Sequence, residues 1–133
     1  MDNFSRWCKI KRNLTKRKAP NFNERDVFMC YLGKNIGHEE SGDERGEKPE
    51  FLRAILVLKK FNNEYFLGLP LTKKYREGKF YYNFDFDGEK STVLLSQIRG
   101  LDSKRLKYRM GRVSRSEFKK IKSKLGELIG FTP

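Results

Sequence analysis

The chain is predicted to be mainly β with a C-terminal helix, a small antiparallel β-barrel. Three observations lead there. Short apolar runs recur between turn signals from Asp26 to Val113, at intervals too short for helical crossovers. After Ser114 the apolar period changes from strand-like to helical. The chain is also 37% hydrophobic against 35% charged, with its apolar residues clustered, which argues for a folded core under a charged surface rather than disorder. At 133 residues it is one domain, able to bury roughly two-thirds of its unfolded surface.

The elements follow in order. Phe4, Trp7 and Leu14 fall at rough helical spacing among bases, and Pro20 closes the segment, so residues 1–23 read as a basic N-terminal arm or helix. Residues 24–133 form the barrel and its helix. Asp26–Leu32 reads as a mostly buried strand stopped by Gly33. Residues 33–50, with four Gly, one Pro and many charges, make a long polar loop of the length that is usually functional or mobile. Leu52–Phe61 and Tyr65–Leu71 are paired strands about an Asn62-Asn63 turn, with Pro70 near the end, where a missing donor does least harm. Phe80–Phe86 alternates and closes at Asp87-Gly88. Ser91–Leu95 is another short strand, and Leu106–Val113 is the last, bent at Gly111. Ser114 and Glu117 then make a capping box, and Phe118, Ile121, Leu125, Leu128 and Ile129 form an amphipathic stripe.

Charge is the next constraint. The formal net charge is +13, with aromatic residues at 14%, and a polyanion is the natural partner. Residues 1–25 hold eight Lys/Arg and two acids, and residues 99–124 hold eleven and two. Between them, residues 38–50 hold six acids and two bases. Such a surface steers RNA by its backbone, although solvated Lys-rich faces occur without any such role. No apolar stretch approaches the length of a membrane span, and the N-terminus has no apolar signal core, so the expected location is the cytoplasm. Cys8 and Cys30 lack metal-ligand spacing and read as free thiols.

Several chemistries are excluded. The one histidine, His38, cannot supply a two-histidine acid–base pair, and there is neither a Cys/His zinc cluster nor a glycine-rich nucleotide loop. The acids of residues 39–50 fit no EF-hand register, so no metal or cofactor is expected. What remains is Arg53 at the mouth of an apolar strand, Thr72 at the end of the next, Gln97 and the polar loop. A guanidinium offers two aimed N–H groups and a fixed charge, suited to stabilising a developing phosphorane charge. A threonine hydroxyl can donate to a phosphate or leaving-group oxygen. Each alone is weak evidence, since strand-start arginines usually pair or snorkel.

The order of motifs adds to this. Tyr31-Leu32-Gly33-Lys34-Asn35-Ile36-Gly37-His38-Glu39-Glu40, Leu52-Arg53-Ala54-Ile55-Leu56-Val57-Leu58, Leu69-Pro70-Leu71-Thr72, Leu94-Leu95-Ser96-Gln97-Ile98-Arg99 and Leu101-Asp102-Ser103-Lys104-Arg105-Leu106 together resemble the PemK/MazF toxin family, over roughly residues 24–129. The resemblance implies an SH3-like barrel, usually a homodimer. It also implies a sequence-selective, metal-independent endoribonuclease that leaves 2′,3′-cyclic phosphate and 5′-hydroxyl ends, paired with an antitoxin protein. It places the catalytic roles on Arg53 and Thr72, and substrate contacts on Glu39, Gln97, Lys73 and Arg99. Two features depart from the family pattern: Ala54 stands where a proline usually follows the arginine, and the first loop is longer and more acidic. The alternatives are a gyrase-binding toxin of the CcdB type, which shares the barrel, and a basic RNA-binding barrel whose Phe80, Tyr81 and Tyr82 stack bases.

Overall fold

The computed structural model of the chain describes residues 1–131. Helix α1 (Asn3–Leu14) is followed by strands β1 (Asp26–Tyr31), β2 (Leu52–Lys60), β3 (Tyr65–Thr72), β4 (Tyr81–Phe86), β5 (Glu89–Leu94), β6 (Arg99–Asp102) and β7 (Leu106–Arg112). Helix α2 (Arg115–Leu128) closes the chain. All strand pairs are antiparallel and belong to one sheet, ordered β4-β5-β3-β2-β1-β7, with β6 also on β3.

Strand β3 explains the curvature. Its first half, Tyr65–Gly68, pairs with β6, and its end, Leu71 and Thr72, pairs with β5 on the same edge. A 3-10 turn, Leu95–Gln97, bridges the gap between those two partners. Pro70 lies in the stretch of β3 between the two ladders, where no donor is required on that edge. The sheet edges then meet through side chains: Gly111 of β7 lies so close to Phe86 and Asp87 that an added Cβ would approach both to 3.0 Å. A barrel closes there without a hydrogen-bond ladder.

The local chemistry accounts for most element ends. Asp87 and Gly88 both have positive φ, 51° and 79°, as the tight turn of the β4–β5 hairpin requires. Asn62 Oδ1 accepts from the backbone N–H of Glu64 (2.8 Å) and Tyr65 (2.9 Å), which fixes the β2–β3 turn. Ser114 Oγ accepts from Glu117 N–H at 3.2 Å and starts α2. Glu117 does not complete the expected reciprocal cap; its Oε2 instead accepts from the Tyr82 hydroxyl at 3.0 Å and ties α2 to β4.

The middle of strand β2, Ala54–Leu58, is apolar because both of its faces are covered there. Leu56 and Leu58 pack with Leu69, Val93 and the α2 residues Phe118, Ile121 and Leu125. Ile55 and Val57 pack on the other side with Phe28, Cys30, Phe66, Leu101 and Leu106. Each such fully buried side chain stabilises the fold by about 1.5–3 kcal/mol. Strand β6, absent from the sequence reading, contributes only Leu101 as a buried residue and owes its extended form to the β3 edge. Both cysteines are free, Cys8 exposed and Cys30 buried, and burial pushes the Cys30 thiol up to about 12. No helix among the described residues is long and apolar enough to cross a membrane.

Candidate active site

The loop between β1 and β2 is folded back on itself. At its base, Leu32 N–H donates to Phe51 O at 3.0 Å, and Gly42 N–H to Gly33 O at 2.8 Å. Asp43 N–H donates to Leu52 O at 2.8 Å. Inside, the Asn35 N–H donates to Ser41 Oγ (2.8 Å) and Asn35 Nδ2 donates to Glu40 O (2.7 Å). These bonds satisfy backbone groups that a loose loop would leave to water, and they carry residues 40–43 over the start of β2. Phe51, buried at the loop's exit, takes φ of 59°, a conformation that a bulky residue holds only under constraint.

Arg53 is the residue this arrangement addresses. Its Nε donates to Ser41 O at 3.1 Å, and its Nη2 lies 2.7 Å from Glu40 Oε1. With 23% of the side chain exposed, the guanidinium is oriented by two loop atoms while part of its fork still reaches solvent. The β2–β3 ladder runs as far as Ile55↔Pro70, and Arg53 and Thr72 lie just beyond that end, each two residues further along its strand. Thr72 Oγ1 accepts from Lys74 N–H at 3.3 Å, and its own proton has no acceptor among the described residues.

Arg53, Thr72 and Lys73 line one cleft of about 610 Å³, floored by Leu52, Ala54 and Leu71 and bordered by the loop residues Asp43, Glu44 and Arg45. Lys73 is well exposed and 3.2 Å from Glu89. The other sequence-derived candidates sit elsewhere. Gln97 lies beside the loop: its Oε1 accepts from Glu40 N–H (3.1 Å) and its Nε2 donates to His38 O (3.0 Å). Glu39 is exposed, and its Oε1 accepts from Ile36 N–H at 3.2 Å. Arg99, on β6 opposite Gly68, is among the charges around Arg105 and Cys30 rather than along the cleft. Glu40 and Ser41, which the sequence reading did not single out, are the residues that touch Arg53. The adjacent acids Glu39 and Glu40 were visible, but only the course of the loop selects the second.

Four acids of the loop are paired with bases, two from the loop and two from the strands beside it. Glu40 pairs with Arg53, Asp43 with Arg45 at 2.7 Å, Glu44 with Lys34 at 2.6 Å and Glu50 with Lys107 at 3.0 Å. The hydrogen bond from Arg45 draws the Asp43 carboxyl down to about 2, and that from Lys34 lowers Glu44. The cleft therefore opposes an anion less than the loop's composition suggests.

A family model described as PemK-like, MazF-like toxin of type II toxin–antitoxin system matches residues 23–129. The chain belongs to that family. No curated protein matches this family member by sequence comparison. Among solved structures it resembles the Mycobacterium tuberculosis toxin MazF-mt6 (TM-score 0.61, 13% identity, 82% of this chain and 100% of that one). It also resembles MazF from Deinococcus radiodurans (0.63, 18%, 86% and 100%). A third is a mycobacterial endoribonuclease solved in complex with its cognate antitoxin (0.61, 17%, 86% and 99%). At these identities the likeness is one of fold, and it fits the barrel expected from the sequence. Helix α1 lies before the matched residues.

Proposed function

We propose that this toxin is an endoribonuclease that cuts single-stranded RNA without a metal ion. The observation that carries the reading is Arg53, held by Glu40 and Ser41 O at a cleft it shares with Thr72. In the reaction, the ribose 2′-oxygen bonds to the adjacent phosphorus as the bond from phosphorus to the 5′-oxygen breaks. The products are a 2′,3′-cyclic phosphate and a 5′-hydroxyl. The 2′-hydroxyl proton leaves to a base and the departing 5′-oxygen gains one. Arg53 stabilises the charge on the non-bridging oxygens, where a fixed donor fork is worth most. Glu40 is the carboxylate beside that charge and takes the 2′-hydroxyl proton. Thr72 Oγ1, with its proton uncommitted, donates to a phosphate oxygen or the leaving oxygen. Gln97 holds the loop that presents Glu40; Lys73 contributes charge at the cleft, Arg99 adds to the basic surface away from it, and Glu39 contributes at the rim.

The +13 charge draws RNA to the surface by its backbone. An antitoxin with an acidic flexible segment suits the same surface. We further infer a homodimer acting in the cytoplasm, with residues 1–23 as an addition to the toxin barrel. The test is RNA cleavage in EDTA by the parent and by Arg53→Ala, with mapping of the ends. Equal cleavage by the two proteins overturns the assignment. Gyrase inhibition without RNA cuts supports the binding-type alternative.

A further inference from the structure

Helix α1 directs its buried side at the loop that reaches Arg53. Trp7, 6% exposed, meets the Phe51 ring edge-on at 5.8 Å. It also covers Gly33, whose φ is +94° and where an added Cβ would run into the indole. One side chain thus seats both feet of the loop. Arg105 closes the other side: its guanidinium lies 5.7 Å from the Trp7 ring, and its Nη1 donates to Tyr31 O (3.1 Å) and Leu32 O (3.2 Å). At the start of α1, Asn3 Nδ2 donates to Glu44 Oε1 at 3.2 Å. The same carboxylate binds Lys34, whose ammonium stands 5.2 Å from the Phe4 ring. Glu40 and Ser41 lie on the segment between Lys34 and Glu44.

A helix added only for burial would join the barrel cores. The apolar cluster of α1 instead comprises Trp7, Leu14 and Phe51, with Ile10 and Tyr31 at its margin, and shares no buried residue with either core. Ordering a loop of this length costs conformational entropy that a few hydrogen bonds do not return unaided. We propose that α1 is a strap that positions the β1–β2 loop, with Trp7 as the positioning residue that keeps Glu40 and Ser41 O on Arg53. For its effect on catalysis this rests on the ribonuclease reading; the ordering of the loop does not.

The test uses three full-length variants. Trp7→Ala removes the seat, and Trp7→Phe keeps a ring in it. Asn3→Asp keeps the helix, because an acid in the first turn suits its dipole, but sets two carboxylates against each other at Glu44. Two readouts are taken: hydrogen exchange of the Glu40, Gly42 and Asp43 amides, and the kcat and KM of RNA cleavage. We expect exchange to quicken at least tenfold in Trp7→Ala, with kcat falling about tenfold and KM within about twofold, since small misplacements of an aligned group are costly. Trp7→Phe should stay within about twofold of the parent, consistent with retained packing. If Trp7→Ala does not fold, Asn3→Asp decides: its one tryptophan, Trp7, should shift its emission to the red, with quicker loop exchange and a kcat about threefold lower. Unchanged loop exchange in the folded variant, or quickened exchange with an unchanged or raised kcat, overturns the strap. If the parent cuts no RNA yet its loop protection depends on Trp7, the ribonuclease reading fails and the strap stands.

Discussion

Glu40 Oε1 lies 2.7 Å from the Arg53 guanidinium, and it is the carboxylate that ion-pairs with that side chain. The contact separates two neighbouring acids that the sequence presents as equivalents. Glu40→Gln is expected to lower cleavage about 10²-fold or more, the order seen when a positioned acid–base group is lost. Glu39→Gln, which leaves the Arg53 contact intact, should stay within about threefold. Single-turnover rates on one RNA substrate measure both; equal losses would return the role to the pair or to Glu39.

Gln97 makes two contacts with the loop and none with the cleft. Gln97→Ala should therefore act through mobility. We expect a fall of about tenfold in rate together with faster proteolytic nicking between residues 36 and 48. A slower rate with unaltered nicking would point to a direct contact of Gln97 with RNA instead.

Asp26 is a buried acid, 2% exposed, that accepts from Arg112 Nε at 2.9 Å and Asn23 N–H at 2.8 Å and pairs with Arg109 at 3.2 Å. It joins the start of β1 to the end of β7. Asp26→Ala removes the carboxylate that Arg109, Arg112 and the Asn23 N–H share, so the expected cost is about 1–3 kcal/mol. Denaturant unfolding measures it, and a midpoint equal to the parent's would show that this staple contributes nothing.

Tyr82 links β4 to α2 through Glu117. Burial first, and then the bond to Glu117, raise its phenol to about 12. A raised value favours the protonated form in the fold. Its stabilising effect is whole below about pH 10, the ordinary tyrosine value, and is lost as pH climbs toward 12. Melting temperatures between pH 9 and 12 should fall more steeply for the parent than for Tyr82→Phe. Parallel curves would remove this contact from the stability of α2.

Much of the barrel was legible because its strands carry their own limits. The apolar run of β2, the Asp87-Gly88 turn and the Ser114 cap each impose a local conformation, and each element appears within a few residues of its expected place. Strand β6 was not legible, since Arg99–Asp102 has one buried residue and is extended only because β3 offers an edge. Arg53 and Thr72 stood out from their places at strand ends, and both line one cleft. Glu40 was not, because a loop's path depends on bonds such as Asn35 to Glu40 O and Gln97 to Glu40 N–H, which join residues with no periodic relation. Trp7 lay in a helical pattern, but nothing in that pattern shows that its partner is Gly33.

The most direct test of the central claim is cleavage of a long single-stranded RNA in EDTA by the parent and by Arg53→Ala, with both shown to be folded. The account predicts cuts by the parent that carry 2′,3′-cyclic phosphate and 5′-hydroxyl ends, and a rate lower by about 10²–10³ in the variant. Cleavage by Arg53→Ala at the parent's rate, or a folded parent that cuts no RNA, would contradict it.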